Sequence, residues 1–107
     1  MRKIKTKDVF KLARIIRNSG AKDELTEVFG NPEEDTRERG LKAAMTLISA
    51  ASSEETEKAI YDLIGDIAEK KPSEIENMEL EELKEVLKAI ADENNLSNFF
   101  DAAVESA

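Results

Sequence analysis

The side chains of this 107-residue chain whose type and spacing could do chemistry fall into two acidic runs and one basic row. The runs are Glu33-Glu34-Asp35 and Glu79 to Glu85; the row is Lys7, Lys11 and Arg14, spaced to share one face of a helix. Paired carboxylates can work as acid and base or hold a hard cation, and a line of cations can follow a phosphate backbone. Neither acidic run meets the conditions. A catalytic carboxyl needs desolvation to raise its pKa, whereas Glu79, Glu81, Glu82 and Glu85 fall on the solvent side of an amphipathic pattern. A calcium loop needs alternating ligands around a central glycine, and Asn31 to Arg39, the nearest acidic loop, reads as a helix start. There is no cysteine and no histidine, which removes disulfides, thiolate nucleophiles, imidazole bases and the usual zinc ligands. The four glycines stand singly at positions 20, 30, 40 and 65, so no phosphate cradle is formed. No catalytic residue, metal site or cofactor is expected, and an enzyme is the least favoured class.

The cations remain. Residues 1 to 22 carry eight lysines and arginines against one acid, Asp8, a net of +7; with −8 for the whole chain, residues 23 to 107 carry −15. Strong overall acidity argues against general nucleic-acid binding. Single-strand recognition would want aromatics beside the cations, and only Phe10 is near. A basic amphipathic helix can lie on a membrane, but the apolar face here is broad enough to suit a protein core. The expected role of Lys7, Lys11 and Arg14 is pairing with acidic protein surface, of this chain, of a neighbouring copy or of a partner. A small nucleic-acid-binding regulator is the alternative.

These side chains must be held by helices. High charge, 5 % aromatics, two prolines and periodic apolar residues predict an all-α fold: one domain over residues 1–107, a compact bundle of five to six helices. Thr6 to Ser19 is the organising helix, with Val9, Leu12, Ala13, Ile15 and Ile16 on one broad face, Phe10 at its border, Thr6 as N-cap and Gly20 as a left-handed stop. Ala21 to Phe29 follows as a short helix closed by Gly30. Asn31-Pro32-Glu33-Glu34 is a compact helix start, with fraying or a break expected near Gly40 and a core stripe of Leu41, Ala44, Met45, Ile48 and Ala51. A capping box at Ser52 and Glu55 opens the next helix, whose stripe is Ile60, Leu63, Ile64, Ile67 and Ala68, with Glu54–Lys58 and Asp66–Lys70 as exposed pairs. One turn around Ile75 plugs a gap. Met78 to Asn94 turns Leu80, Leu83, Leu87, Ile90 and Ala91 inward, and Ser97 caps a last helix whose Phe99 and Phe100 belong to the core.

No apolar run approaches the ~20 residues of a membrane span, and the charged N-terminus lacks a signal-peptide core, so a soluble, cytoplasmic protein is expected. Two stretches, KIKTKDVFKLARIIRNSG and EKAIYDLIGDIAEKKPSEIENMELEELKEVLKAIADENNLSNFFDAA, in this order and spacing, resemble the tail assembly chaperones of long-tailed phages and prophages of Gram-positive bacteria. The resemblance implies a non-enzymatic helical protein, acting in the host cytoplasm, that coats the tape measure protein before the tail tube polymerises and is absent from the finished virion. It also implies a frameshifted longer product whose extension contacts the tail tube subunit, while self-association is expected from the pairing of Lys7, Lys11 and Arg14 with acidic surface of a neighbouring copy. No residue is assigned a role by it.

Overall fold

The computed structural model describes residues 1–30 and 35–107, and the described residues form seven helices and no strand. They are α1 (Thr6–Ser19), α2 (Lys22–Phe29), α3 (Thr36–Ala50), α4 (Glu54–Ala68), α5 (Pro72–Glu76), α6 (Leu80–Glu93) and α7 (Leu96–Ser106). The radius of gyration, 12.5 Å, matches the ~13 Å of a chain this long folded around one core. The all-α architecture is as the apolar periodicity predicts, with one helix more than expected.

Helix α1 packs against α7, α4 and α3, so its broad apolar face is met from three sides, and Leu12, Ala13, Ile15 and Ile16 are buried. Phe10 lies at the border of that face and is 55 % exposed. Gly20 ends the helix with φ of 71°, as its position after Ser19 predicts. Helix α7 is the second centre. Although only eleven residues long, it buries Leu96, Phe99, Phe100, Ala103 and Val104 against α1, α3 and α2, and Phe99 and Phe100 meet edge to face with centroids 5.9 Å apart. Helices α5 and α6 close the other side, α5 on α4 through buried Ile75, and α6 mainly on α3.

Several sequence expectations are corrected by packing. Helix α3 runs unbroken through Gly40, which is buried rather than frayed, because the start of α7 lies directly on it. A Cβ at Gly40 would stand 2.9 Å from the Ser97 amide nitrogen and 3.0 Å from Leu96 Cβ. The buried stripe of α3 is Gly40, Ala43, Ala44 and Leu47, rotated from the expected one; Leu41, Met45, Ile48 and Ala51 are only half-buried. Small residues decide the closest helix contact, and the larger side chains are left to its flanks. The expected start at Asn31-Pro32-Glu33-Glu34 lies outside the described residues.

The caps also shift. Lys5, not Thr6, occupies the N-cap of α1, and the Asp8 carboxylate reaches back to accept from the Lys5 amide at 2.8 Å. Ser53, not Ser52, caps α4, its hydroxyl accepting from the Thr56 amide at 3.1 Å. Asn95, not Ser97, caps α7, accepting from the Asn98 amide at 3.0 Å, while Ser97 is buried inside the first turn. In each pattern several cap-forming residues stand within two or three positions, and local preference does not choose among them. On α6, Leu87 and Ile90 are buried, but Leu80 projects from the first turn and is 54 % exposed.

Candidate partner-binding surfaces

Three of the eight N-terminal cations, Arg2, Lys3 and Arg17, meet the ends of other helices. Six of the seven helices, all but α1, have no basic residue in their last turn, where the macrodipole and unpaired carbonyls favour one, and three of them, α4, α6 and α7, receive a cation from elsewhere in the chain. The N-terminal segment supplies all three. Arg2 Nε donates to the Asp66 carbonyl at 3.1 Å near the end of α4, and Lys3 Nζ donates to the Glu93 carbonyl at 3.1 Å at the end of α6. Arg17 Nη2 lies 3.5 Å from the Ser106 carbonyl at the end of α7. Residues 1 to 5 thus form a strap across the ends of α4 and α6, fastened also by the Arg2 amide to Ile67 O and the Ile4 amide to Asn94 Oδ1, each at 3.0 Å.

At the centre of the strap, Arg2 uses all five of its N–H donors. Beyond the Asp66 carbonyl, Nη1 reaches the Lys3 carbonyl at 2.9 Å and Asp8 Oδ2 at 2.7 Å, and Nη2 reaches Asp8 Oδ1 at 2.9 Å and Asp66 Oδ2 at 2.5 Å. Asp8 has no exposed surface. Burial pushes its carboxyl up, but the bonds from the Arg2 guanidinium and the Lys5 amide outweigh this, and its pKa falls below the usual carboxylate range. Asp66 is lowered too, chiefly by its bond from Arg2, whose own pKa rises through the bond to Asp8. Sequence reading counted Asp8 only as a charge. Its signal was there, a lone acid in a basic stretch, three residues after the N-cap of a helix.

Lys7, Lys11 and Arg14, the expected contact residues, do share a face of α1, and that face looks along α4. Lys7 Nζ stands 3.9 Å from Asp66 Oδ2. Half-buried Lys11 and exposed Arg14 line a shallow groove of about 270 Å³ with Glu55 and Asp62 of α4. The expected Asp66–Lys70 pair gives way to Asp66 with Arg2 and Lys7, because α4 ends at Ala68 and Lys70 has left the helix.

A different surface opens on the other flank of α4. Ile64 and Tyr61 of α4, Ile48 of α3, Met78, and Leu80 and Leu83 of α6 line an open apolar groove of about 200 Å³, edged by Glu57 and Glu76. The Tyr61 hydroxyl donates to Glu57, and this bond, with some burial, pushes its pKa up to about 12. Neither glutamate has a cation within 4 Å among the described residues. The groove was missed in the sequence because Leu80 falls on the apolar face of its helix; only its place at the first helical position, overhanging its neighbours, distinguishes it. Among the described residues no group of three carboxylates is arranged to hold a metal ion, and no helix is long and apolar enough to cross a membrane. No family model matches the chain, and neither a curated protein nor a solved structure matches it.

Proposed function

We propose that this chain is a phage tail assembly chaperone, a non-enzymatic helical protein that binds the tape measure protein and promotes assembly of the tail tube around it in the host cytoplasm. The observation that carries this reading is the open apolar groove beside α4, with exposed Leu80 at its lip. A long helical client offers one apolar face at intervals, and a groove between helices is the complement of such a face. The resemblance of the α1 stretch and of the stretch from α4 to α7 to tail assembly chaperones supports the same assignment. The net charge of −8 favours solubility at high copy number.

The nucleic-acid reading is weakened by where the cations lie. Arg2, Lys3 and Arg17 meet helix ends, and Lys7 meets Asp66, which leaves a short cationic line beside acidic α4. Co-expression with a helical tape measure fragment tests the assignment, with salt-sensitive co-purification expected because exposed charge contacts weaken with screening. The triple reversal of Lys7, Lys11 and Arg14 to Glu should reduce self-association or client retention and leave the helical signal intact. A chain that ignores the fragment, yet binds duplex or single-stranded nucleic acid at about 0.15 M salt and loses that binding in the triple reversal, is a regulator instead.

A further inference from the structure

The groove beside α4 combines three properties. Its floor is apolar and open, its rim is acidic, and among the described residues no cation lies within 4 Å of its two glutamates. From Pro72 to Glu85 there are six glutamates and one lysine, Lys84, and Lys84 lines a separate groove with Lys42 and Lys88. At about 200 Å³ the site falls below the ~300 to 1,000 Å³ of pockets that enclose small molecules, and Leu80 at its lip is exposed. That geometry suits side chains presented by another helix. Burying Leu80 and covering Met78 and Tyr61 would bring Glu57 and Glu76 against the flanks of whatever lies there, so those flanks must not be acidic.

From this juxtaposition we infer that the groove between α4, α5 and α6 receives a cationic amphipathic helix, its apolar side chains at i, i+3, i+4 and i+7 on Leu80 and Ile64 and its lysines or arginines against Glu57 and Glu76. The inference rests on the reading of the chain as a binder of a helical client and names the chemistry of the client segment. A second copy of the chain is a poorer occupant, because its most basic helix, α1, turns its cations toward its own α4.

The chain carries its own reporter. Tyr61 is the sole tyrosine, tryptophan is absent, and the ring lines the groove. Titration with a Tyr- and Trp-free helical peptide of about 18 residues, bearing leucines on one face and lysines on its flanks, should change tyrosine emission and give a Kd on the order of 10 μM. Leu80→Ser and Glu76→Lys should each weaken binding about tenfold, with wild-type circular dichroism. The double reversal of Glu57 and Glu76 to Lys should switch preference to the Glu-flanked twin of the peptide. Asp101→Lys, a charge reversal at an exposed position of α7 outside the groove, should bind as wild type does. Equal binding of a sequence-scrambled peptide, or binding indifferent to Leu80→Ser and Glu76→Lys, would overturn the proposal. So would concentration-dependent dimerisation in sedimentation that Leu80→Ser abolishes, which assigns the groove to a second copy. The two levels fail separately. A tape measure fragment retained equally by the Leu80→Ser/Glu76→Lys chain removes the groove and keeps the chaperone; a chain that binds the peptide but ignores the fragment keeps the groove and removes the chaperone.

Discussion

The two flanks of α4 are built from similar residues and differ in what becomes of their charge. On the α1 flank, Asp66 is held by Arg2 at 2.5 Å with Lys7 nearby, and the apolar residues behind it, Leu63 and Ile67, are buried. On the α5–α6 flank, Tyr61 and Ile64 are half-buried, Leu80 is exposed, and Glu57 and Glu76 are exposed with no cation within 4 Å among the described residues. Charge balanced within the chain secures its topology, by tying the strap to helix ends; charge left unbalanced beside open apolar surface is available to a partner. Net charge does not distinguish these uses. The N-terminal +7 is the most conspicuous feature of the sequence, and most of the contacts described for it are internal.

The comparison breaks most completely if α1 is peripheral. Ile16 has no exposed surface, and Ile16→Asp puts an unpaired carboxylate among α1, α4 and α7, costing several kcal/mol against a typical stability of ~5 to 15. Circular dichroism should show loss of the cooperative melt; wild-type melting would place the core elsewhere.

Next is the strap. Arg2→Ala strands Asp8 without its guanidinium and should cost about 3 kcal/mol in urea unfolding at neutral pH, since breaking a buried pair leaves an uncompensated charge. The sign of the pH dependence sharpens this. Asp8 and Asp66 have folded pKa values below their unfolded ones, so their contribution is present above the unfolded value near ~3.9 and is lost as pH falls through the folded values. In Arg2→Ala the lone buried carboxyl takes up a proton more readily, and the gap from wild type should narrow as pH falls toward about 4. A gap constant from neutrality to that pH would show that Arg2 acts by packing alone.

Gly40→Ala sets helix propensity against packing. Propensity predicts a gain of about 1 kcal/mol, whereas a Cβ placed 2.9 Å from the backbone of α7 forces the helices apart at about 1 to 3 kcal/mol. A lowered melting temperature is expected, and a raised one would mean that α7 is not seated there. The smallest effect belongs to the open flank. Leu80→Ser should change stability by no more than about 0.5 kcal/mol, because the side chain is already half in water. A larger loss would convert the groove edge into core.

Much of this was legible from residue types alone. Apolar spacing marked the all-α class, the span of α1 to within one residue, the left-handed Gly20, the buried face of α7, that of α4 except for half-buried Ile64, and the Ile75 plug, because helical periodicity and terminal residues act over a few positions of chain. The absence of histidine and cysteine bounded the chemistry in the same direct way. Other features belong to residues far apart in sequence that meet only after folding. Whether Gly40 breaks α3 or seats α7 depends on Leu96 and Ser97; whether Leu80 is core depends on how far α6 overhangs α3 and α4; whether Asp8 is one acid among many depends on a strap that returns Arg2 to it beside Asp66. Each of these is settled by the environment around the side chain, not by its type. The same cation is solvated, capping a helix or saturated by two carboxylates according to what the tertiary structure brings within 3 or 4 Å of it.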